Sequence, residues 1–155
     1  ITEIYNASKD MEKDQQLMAD VVKQLVESKN TATAFKKDLT KEDKKNYKDQ
    51  IKASKNIITK IDKLIAVYIG SVDKRQGITR NPEVTVSRRY SSARRYVGSR
   101  FGNLTTTEKQ LISQYKKALK TAINKTNAFF ETDWKKYKTT LETIRISPFK
   151  EVQKF

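Results

Sequence analysis

Arginine is concentrated in one short stretch of the chain, where its side chains could bind an anionic partner. The segment SRRYSSARRYVGSRF at 87–101 holds five of the eight arginines, and Arg75 and Arg80 lie just upstream. Glu83 is the only acid between positions 75 and 100. A guanidinium offers a planar set of donors that suits carboxylates, phosphates and aromatic faces, whereas lysine, the usual basic residue elsewhere in this chain, is a hydrated point charge. The arginine segment therefore predicts a surface where binding geometry matters.

Two interpretations of the arginine segment follow from its residue types. Basic residues interleaved with aromatic ones, here Tyr90 and Tyr96, are what single-stranded nucleic acid needs for phosphate contacts and base stacking. Alternatively, Tyr90 belongs to a buried stripe, and the arginines pair with acids of neighbouring helices or of another domain. The chain carries no RRM, KH or zinc-finger signature, which favours a protein interface. A polyanion, either nucleic acid or an acidic polysaccharide, remains the alternative partner.

The loop before the arginine segment contributes further candidates. The run DKRQG at 73–77 places charged residues next to a glycine that permits a backbone turn. A buried ion pair between Asp73 and one of the arginines is the structural interpretation, and a ligand site is the alternative. The complete set of candidate interface residues is Asp73, Arg75, Arg80, Arg88, Arg89, Arg94, Arg95, Tyr96 and Arg100.

Residue patterns that support catalysis or metal binding are missing or weak. The sequence has no cysteine and no histidine, so zinc would have to be bound by carboxylates alone, and a serine nucleophile would have no histidine base. Ser113 and Lys116 match the S-x-x-K pattern of serine acyl enzymes, but the companion motifs are absent. Glu131 and Asp133 would point to different sides of a helix, which does not suit an acid–base pair. We therefore predict no catalytic residue, no metal and no cofactor.

Length and composition favour one all-α domain. A chain of 155 residues with 36% hydrophobic residues can build one core, and four glycines with two prolines leave few positions for the turns of a sandwich or barrel. The formal net charge of +15 attracts polyanions, anionic membrane surfaces or acidic protein faces without choosing among them. No apolar run is long enough to span a bilayer.

Apolar spacing predicts two long helices in the first half of the chain. An apolar residue recurs every seven positions in the first segment, which is typical of a helix packed lengthwise against others. The run at 27–31 interrupts good helix formers and predicts a break or kink. Thr40 then predicts the N-cap of a second helix that extends to Gly70. The first stripe consists of Ile4, Met11, Met18, Leu25, Ala32 and Leu39.

An extended connection over 71–83 leads to the arginine helix. The stripe of this helix puts Arg88 and Arg95 opposite the buried side, Arg89, Tyr96 and Arg100 on one flank, and Arg94 on the other. Gly102 can end the helix. The stripe consists of Val86, Tyr90, Ala93, Val97, Phe101 and Leu104.

A capping box at Thr105 and Glu108 predicts the start of a last helix of about 40 residues, which ends at Ser147-Pro148. Phe129, Phe130 and Trp134 are expected to form the aromatic end of the core. The fold predicted for residues 1–155 is therefore an all-α, single-domain, up-and-down bundle of three long helices plus a shorter arginine-rich helix.

Four stretches resemble a known family of helical regions. They are VDKRQGITRNPEVTV at 72–86, RRYVGSRFG at 94–102, TNAFFETDWKKYK at 126–138 and SPFKEV at 147–152. They resemble the C-terminal helical region of large exported bacterial proteins that carry sortilin-like or BNR-type β-propeller repeats and are often labelled glycosyl hydrolase-like. The resemblance implies a fragment of a longer protein, exported to the periplasm or cell surface of a Gram-negative bacterium, with propeller blades before Ile1.

The resemblance transfers no catalytic residue, because any propeller active site would lie outside this chain. Together with the arginine segment, it leads us to expect a non-catalytic accessory module. Such a module would dock on the β-propeller of its own parent chain or on a partner protein, and no cofactor is expected.

Overall fold

A computed structural model describes residues 2–70, 72–73, 78–79, 84–97 and 102–144 of the chain, and nearly all of them lie in helices. The all-α bundle predicted from the sequence is confirmed. In chain order the elements are α1 (Thr2–Asp43), α2 (Lys48–Ile69), β1 (Val72–Asp73), β2 (Ile78–Thr79), α3 (Val86–Val97), α4 (Thr106–Phe129), a π-helical turn (Phe130–Trp134) and α5 (Lys135–Ile144).

Helix α1 runs without interruption through 27–31, so the predicted break is wrong. The reason is tertiary packing, because Leu25 and Ala32 on either side of this run are completely buried. The polar residues are also satisfied within the helix, since the Thr31 hydroxyl donates to the carbonyl oxygen of Glu27 at 3.0 Å. The predicted stripe is confirmed in full, with buried side chains at Ile4, Met11, Met18, Leu25, Ala32 and Leu39.

The turn between α1 and α2 lies later in the chain than the sequence predicted. Thr40 is not an N-cap; it lies inside α1, and its hydroxyl donates to the carbonyl oxygen of Lys36 at 2.7 Å. The chain turns at 44–47, where the Asn46 side-chain amide donates to the Asp43 carboxylate at 2.6 Å. Burial of Leu39, the residue just before Thr40, keeps α1 packed on the core up to the predicted cap, and this explains why the helix does not end there.

Helices α2 and α3 follow one another along α1. We call each such line of helices along the bundle a column, so α2 and α3 form one column that is interrupted between them. Helix α2 runs antiparallel to α1, and the pair is joined by an ion pair between Lys29 and Asp62 at 2.7 Å. Helix α3 is antiparallel to α1 as well, because the Tyr90 hydroxyl donates to Gln15 and Arg94 lies near Glu12. Since α3 meets an earlier part of α1 than α2 does, it continues the direction of α2.

The third column is α4, the π-helical turn and α5, which run antiparallel to α2. Two buried hydroxyl pairs fix this alignment: Tyr68 with Thr126 at 2.8 Å, and Ser54 with Tyr137 at 2.7 Å. The bundle is therefore up-down-up. Its first column, the 42 residues of α1, rises roughly 60 Å at 1.5 Å per residue.

A short hairpin is inserted where the middle column breaks. Helix α2 ends at Gly70, whose φ of 87° is easily adopted only by glycine. Strands β1 and β2 then pair antiparallel, with Val72 opposite Thr79, inside the region predicted to be an extended connection. Helix α3 begins after Thr85, whose hydroxyl accepts from the Arg88 backbone amide at 3.1 Å.

The capping box at the start of α4 is confirmed. The Glu108 amide donates to the Thr105 hydroxyl at 3.2 Å, and the Thr105 amide donates to the Glu108 carboxylate at 2.9 Å. These two bonds satisfy backbone donors that would otherwise lack partners at the first turn of the helix.

A π-helical turn corrects the register of the third column. Buried residues recur every seven positions up to Phe129, but the next buried residue, Tyr137, comes eight positions later. The wider turn at Phe130–Trp134 absorbs the extra residue and returns Tyr137 to the core. The predicted aromatic end of the core is confirmed, since ring centroids of Phe129, Phe130 and Trp134 lie 5.3 to 6.4 Å apart.

Candidate functional site

Helix α3 is anchored by one apolar face, as its stripe predicted. Val86, Tyr90, Ala93 and Val97 are buried against the other columns. Leu104 is half-buried beyond the end of α3, and Phe101, the remaining member of the predicted stripe, lies outside the described residues. Because this anchor is fixed on one side, the orientation of every other side chain of α3 is set by its position in the helix.

The opposite face of α3 presents basic and aromatic groups to solvent. Arg88, Arg95 and Tyr96 are exposed, and Arg89 is half-buried on the flank next to Tyr96. The helix contains no acid. Among the described residues, no carboxylate forms an ion pair with Arg88, Arg89 or Arg95. These three guanidinium groups are therefore available to a partner, and we call them, with Tyr96, the arginine face.

Arg94 occupies the other flank and turns toward α1. Its Nη2 atom lies 3.9 Å from Oε1 of Glu12. Its Nη1 atom is buried and has no hydrogen-bond partner in the part of the chain that the structure describes. Arg94 thus contacts an acid of a neighbouring helix, which is the arrangement that the protein-interface interpretation predicted for these arginines.

Tyr90 is part of the core and not of the arginine face. It is only 6% exposed, and its ring meets that of Tyr115 edge to face with centroids 5.3 Å apart. Its hydroxyl donates to Gln15 at 3.5 Å. A ring in this position cannot stack on a nucleic-acid base, so of the two tyrosines considered for stacking, Tyr96, at 59% exposure, is the accessible one.

A polar network joins α1 and α4 beneath α3, and the sequence analysis missed it. The Tyr115 hydroxyl donates to Oδ2 of Asp14 at 2.5 Å. The Lys116 ammonium donates to the same oxygen at 3.1 Å and also to Asp10. The sequence did contain a pattern that indicates such a network. Asp10 and Asp14 are four residues apart, so they share a helix face, and this face lies beside the buried Met11.

The network holds its groups in fixed protonation states. Burial raises the pKa of the Tyr115 hydroxyl well above its ordinary value, and the hydrogen bond to Asp14 raises it further. Partial burial lowers the pKa of the Lys116 ammonium, but its hydrogen bonds to Asp10 and Asp14 outweigh this effect and leave the pKa raised. Since Lys116 stays protonated, it cannot accept a proton from Ser113 as an S-x-x-K enzyme would require.

Glu131 and Asp133, the other pair weighed for chemistry, differ in their surroundings. Asp133 forms an ion pair with Lys60 at 3.2 Å, while Glu131 is exposed in the π-helical turn. Within the described ranges, no cluster of three or more acids is arranged to bind a metal ion. None of the helices described here has the length and apolar character needed to cross a bilayer.

Part of the predicted interface lies outside the described residues. Arg75, Arg80 and Arg100 lie outside the described residues. Asp73 belongs to β1, but its side chain is outside the described part of the structure. The ion pair predicted between Asp73 and an arginine, and the alternative of a ligand site in this loop, therefore remain predictions.

Comparisons with family models, curated proteins and solved structures found no match to this chain. The resemblance to helical regions of β-propeller proteins therefore rests on the four sequence stretches alone, and what it implies about partner and location remains a prediction. We therefore infer function from the burial, exposure and contacts of the described residues.

Proposed function

We propose that this chain is a non-catalytic docking module whose arginine face binds carboxylates on a protein surface. The observation that carries the proposal is the exposure of Arg88, Arg89 and Arg95 beside Tyr96, on a helix without acids whose opposite face is buried. A rigid helix fixes the backbone positions of these residues, so little backbone freedom is lost on binding.

The residue types favour a protein partner. Arginine and tyrosine are enriched at protein interfaces, where a guanidinium can form two parallel hydrogen bonds to one carboxylate. A single-stranded nucleic acid would need successive aromatic platforms, and Tyr96 is accessible whereas Tyr90 is buried. Binding to a polyanion through the net charge of +15 is the second candidate function.

The sequence resemblance suggests the identity of the partner. We propose the β-propeller domain of the same parent chain, in an exported bacterial protein, with an independent partner protein as the alternative. Support comes from the strings at 72–86 and 94–102, which carry the resemblance and include most of the candidate interface residues. In this proposal the module has no cofactor and no catalytic residue of its own.

Removal of two arginines tests the docking proposal. The double variant Arg88→Ala/Arg95→Ala, expressed separately from the rest of the parent protein, should recover at least tenfold less of that remainder by co-purification, since each truncated interface arginine typically costs about 1 kcal/mol or more. The matched control is Lys44→Ala/Lys45→Ala, which removes the same charge from the exposed turn between α1 and α2. Equal recovery by the two variants would contradict the proposal.

A filter-binding titration separates the second candidate function. Single-stranded DNA, RNA and an acidic polysaccharide are titrated at about 50 and 150 mM salt, where screening lengths differ. A polyanion site is favoured if the unmodified chain retains a polyanion at the higher salt, Arg88→Ala/Arg95→Ala does not, and the lysine control still does. Loss of retention in every variant near 150 mM indicates general charge attraction.

A further inference from the structure

A second surface, lined by no residue of α3, lies along α4 beside α1. Two depressions of about 520 Å³ and about 280 Å³ share Lys116 and Lys120 in their linings, and we take them together as one surface. Its floor is apolar, with Leu17, Ile112 and Ile123 among the lining residues. We call this surface the lysine groove.

The size of the lysine groove suits a helix. Its α4 lining extends from Lys109 to Ile123, which is about four turns or roughly 21 Å of helix. The floor is partly open to solvent, since Leu17 is 43% exposed and Ile112 is half-buried. An amphipathic helix laid in such a groove would bury apolar side chains at intervals of three and four residues.

The charge of the lysine groove requires an acidic occupant. Lys116 is held by Asp10 and Asp14, and it forms a fixed part of the wall. Lys117 and Lys120 are exposed on the same stretch and have no ion pair among the described residues. Two ammonium groups beside an apolar floor complement a helix with one apolar face and acidic residues flanking it.

We propose that the lysine groove binds an acidic amphipathic helix of another protein. Its apolar residues would cover Leu17, Ile112 and Ile123, and its carboxylates would pair with Lys117 and Lys120. Nucleic acid fits less well, because none of the described residues that line the groove is aromatic and could stack on a base. A flat membrane surface fits less well too, because Leu17 and Ile123 line a depression that α1 and α4 share, and they do not form a projecting face.

Binding of a labelled peptide tests this proposal on the whole chain. The probe is an 18-residue helical peptide with leucines on one face and glutamates on the other. Its binding to the protein is measured by fluorescence anisotropy at about 150 mM salt. Leu17→Gln should weaken binding roughly fivefold through lost apolar contact. Val26→Gln is the matched control, because Val26 is 40% exposed on the same helix but outside the groove, and it should change binding less than twofold.

The charge contribution is tested in the same assay. Lys117→Ala/Lys120→Ala should weaken binding of the peptide at least fivefold, whereas Lys44→Ala/Lys45→Ala should leave it within twofold. A scrambled peptide of the same composition, which has no apolar face, should bind at least tenfold more weakly. Equal effects of the two lysine pairs, of Leu17→Gln and Val26→Gln, or of the two peptides would overturn the proposal.

Two further measurements identify the class of partner. The chain is also titrated with single-stranded DNA and with vesicles rich in anionic lipid. If either binds more tightly than the peptide, and this binding depends on the groove residues, the proposal of a protein partner is overturned. The variant Arg88→Ala/Arg95→Ala should keep its peptide affinity, so failure of docking through the arginine face and failure of the lysine groove are separate results.

Discussion

At the scale of single residues, buried tyrosine hydroxyls join the three columns. Tyr68 and Tyr137 connect the middle column to the third through Thr126 and Ser54, and Tyr115 connects the third column to α1. Each hydroxyl has a partner, which offsets the cost of removing it from water. These bonds have specific partners at fixed heights along the bundle, so they define which turns of the helices face one another.

The buried tyrosines also couple stability to pH. Burial raises the pKa of Tyr68, Tyr115 and Tyr137 above the ordinary value of 10.0. Below pH 10 the folded and unfolded chains both hold these protons, and the free energy of unfolding is unaffected. Above pH 10 the unfolded chain releases them first, so the free energy of unfolding falls as pH rises toward the folded pKa.

Tyr115→Phe tests this pH dependence. Between pH 9 and 11 the variant should lose about 1.4 kcal/mol less unfolding free energy than the parent chain, because one phenol no longer ionises on unfolding. Urea unfolding followed by circular dichroism measures the difference. The control is Tyr5→Phe, at a residue 56% exposed, which should keep the parental pH profile because it removes no buried phenol. Identical profiles for the parent chain and Tyr115→Phe would contradict the expectation.

At the scale of elements, periodicity predicted what is buried more accurately than local signals predicted where helices end. The seven-residue spacing of α1 identified its buried residues, because a helix that packs along its whole length needs an apolar side chain at each repeat. The predicted break at 27–31 and the predicted cap at Thr40 failed, since burial of Ala32 and Leu39 outweighs weak local preferences.

The candidate site was predictable only in part. The stripe of α3 placed Arg88, Arg94 and Arg95 correctly relative to the core, because a helical projection fixes side-chain directions. The network around Asp14 and the lysine groove were not predicted. Both lie where α1 and α4 meet, so they depend on how far one helix is shifted along its axis relative to the other. No pattern within either helix specifies that shift.

The π-helical turn was present in the sequence as a change of spacing. The buried positions Tyr115, Ala122 and Phe129 are separated by seven residues, and Tyr137 follows after eight. A single extra residue in a helix is commonly accommodated as a π-bulge. The sequence analysis treated the column as one regular helix and so did not predict the turn.

Deletion of Thr132 should convert the turn to regular α-helix. Thr132 is exposed, and its removal restores a seven-residue spacing between Phe129 and Tyr137, so the free energy of unfolding should change by less than about 1 kcal/mol. Deletion of Thr121, which is exposed within α4, should instead cost several kcal/mol, because it rotates Ala122 and Phe129 by about 100°. Thermal unfolding monitored by Trp134 fluorescence compares the two, and equal losses would refute the register argument.

At the scale of the whole molecule, the insert at 70–85 interrupts one column while the other two stay continuous. Helices α2 and α3 remain in contact with each other on either side of the insert. The core also crosses the gap without a break, with residues of α1, α2, α3 and α4 in one buried cluster. We therefore expect that the insert is not required to hold the bundle together.

Replacement of residues 72–83 by glycine and serine tests this independence. A replacement of equal length should leave the free energy of unfolding within about 1 kcal/mol, because the cost of closing a loop depends weakly on its sequence and length. The same variant should bind the proposed partner more weakly, since it lacks Asp73, Arg75 and Arg80. Loss of cooperative urea unfolding would show that the insert supports the fold, and unchanged binding would remove these three residues from the interface.

The interrupted middle column means that the chain is built as two helical hairpins. One hairpin is α1 with α2, the other is α3 with α4 and α5, and they share one buried core. We expect this core to hold without the peptide bonds that connect the hairpins at the insert. A single proteolytic cut in the insert would therefore leave a nicked protein whose halves stay associated. The same halves, produced as separate polypeptides, would form a complementing pair suited to a split reporter.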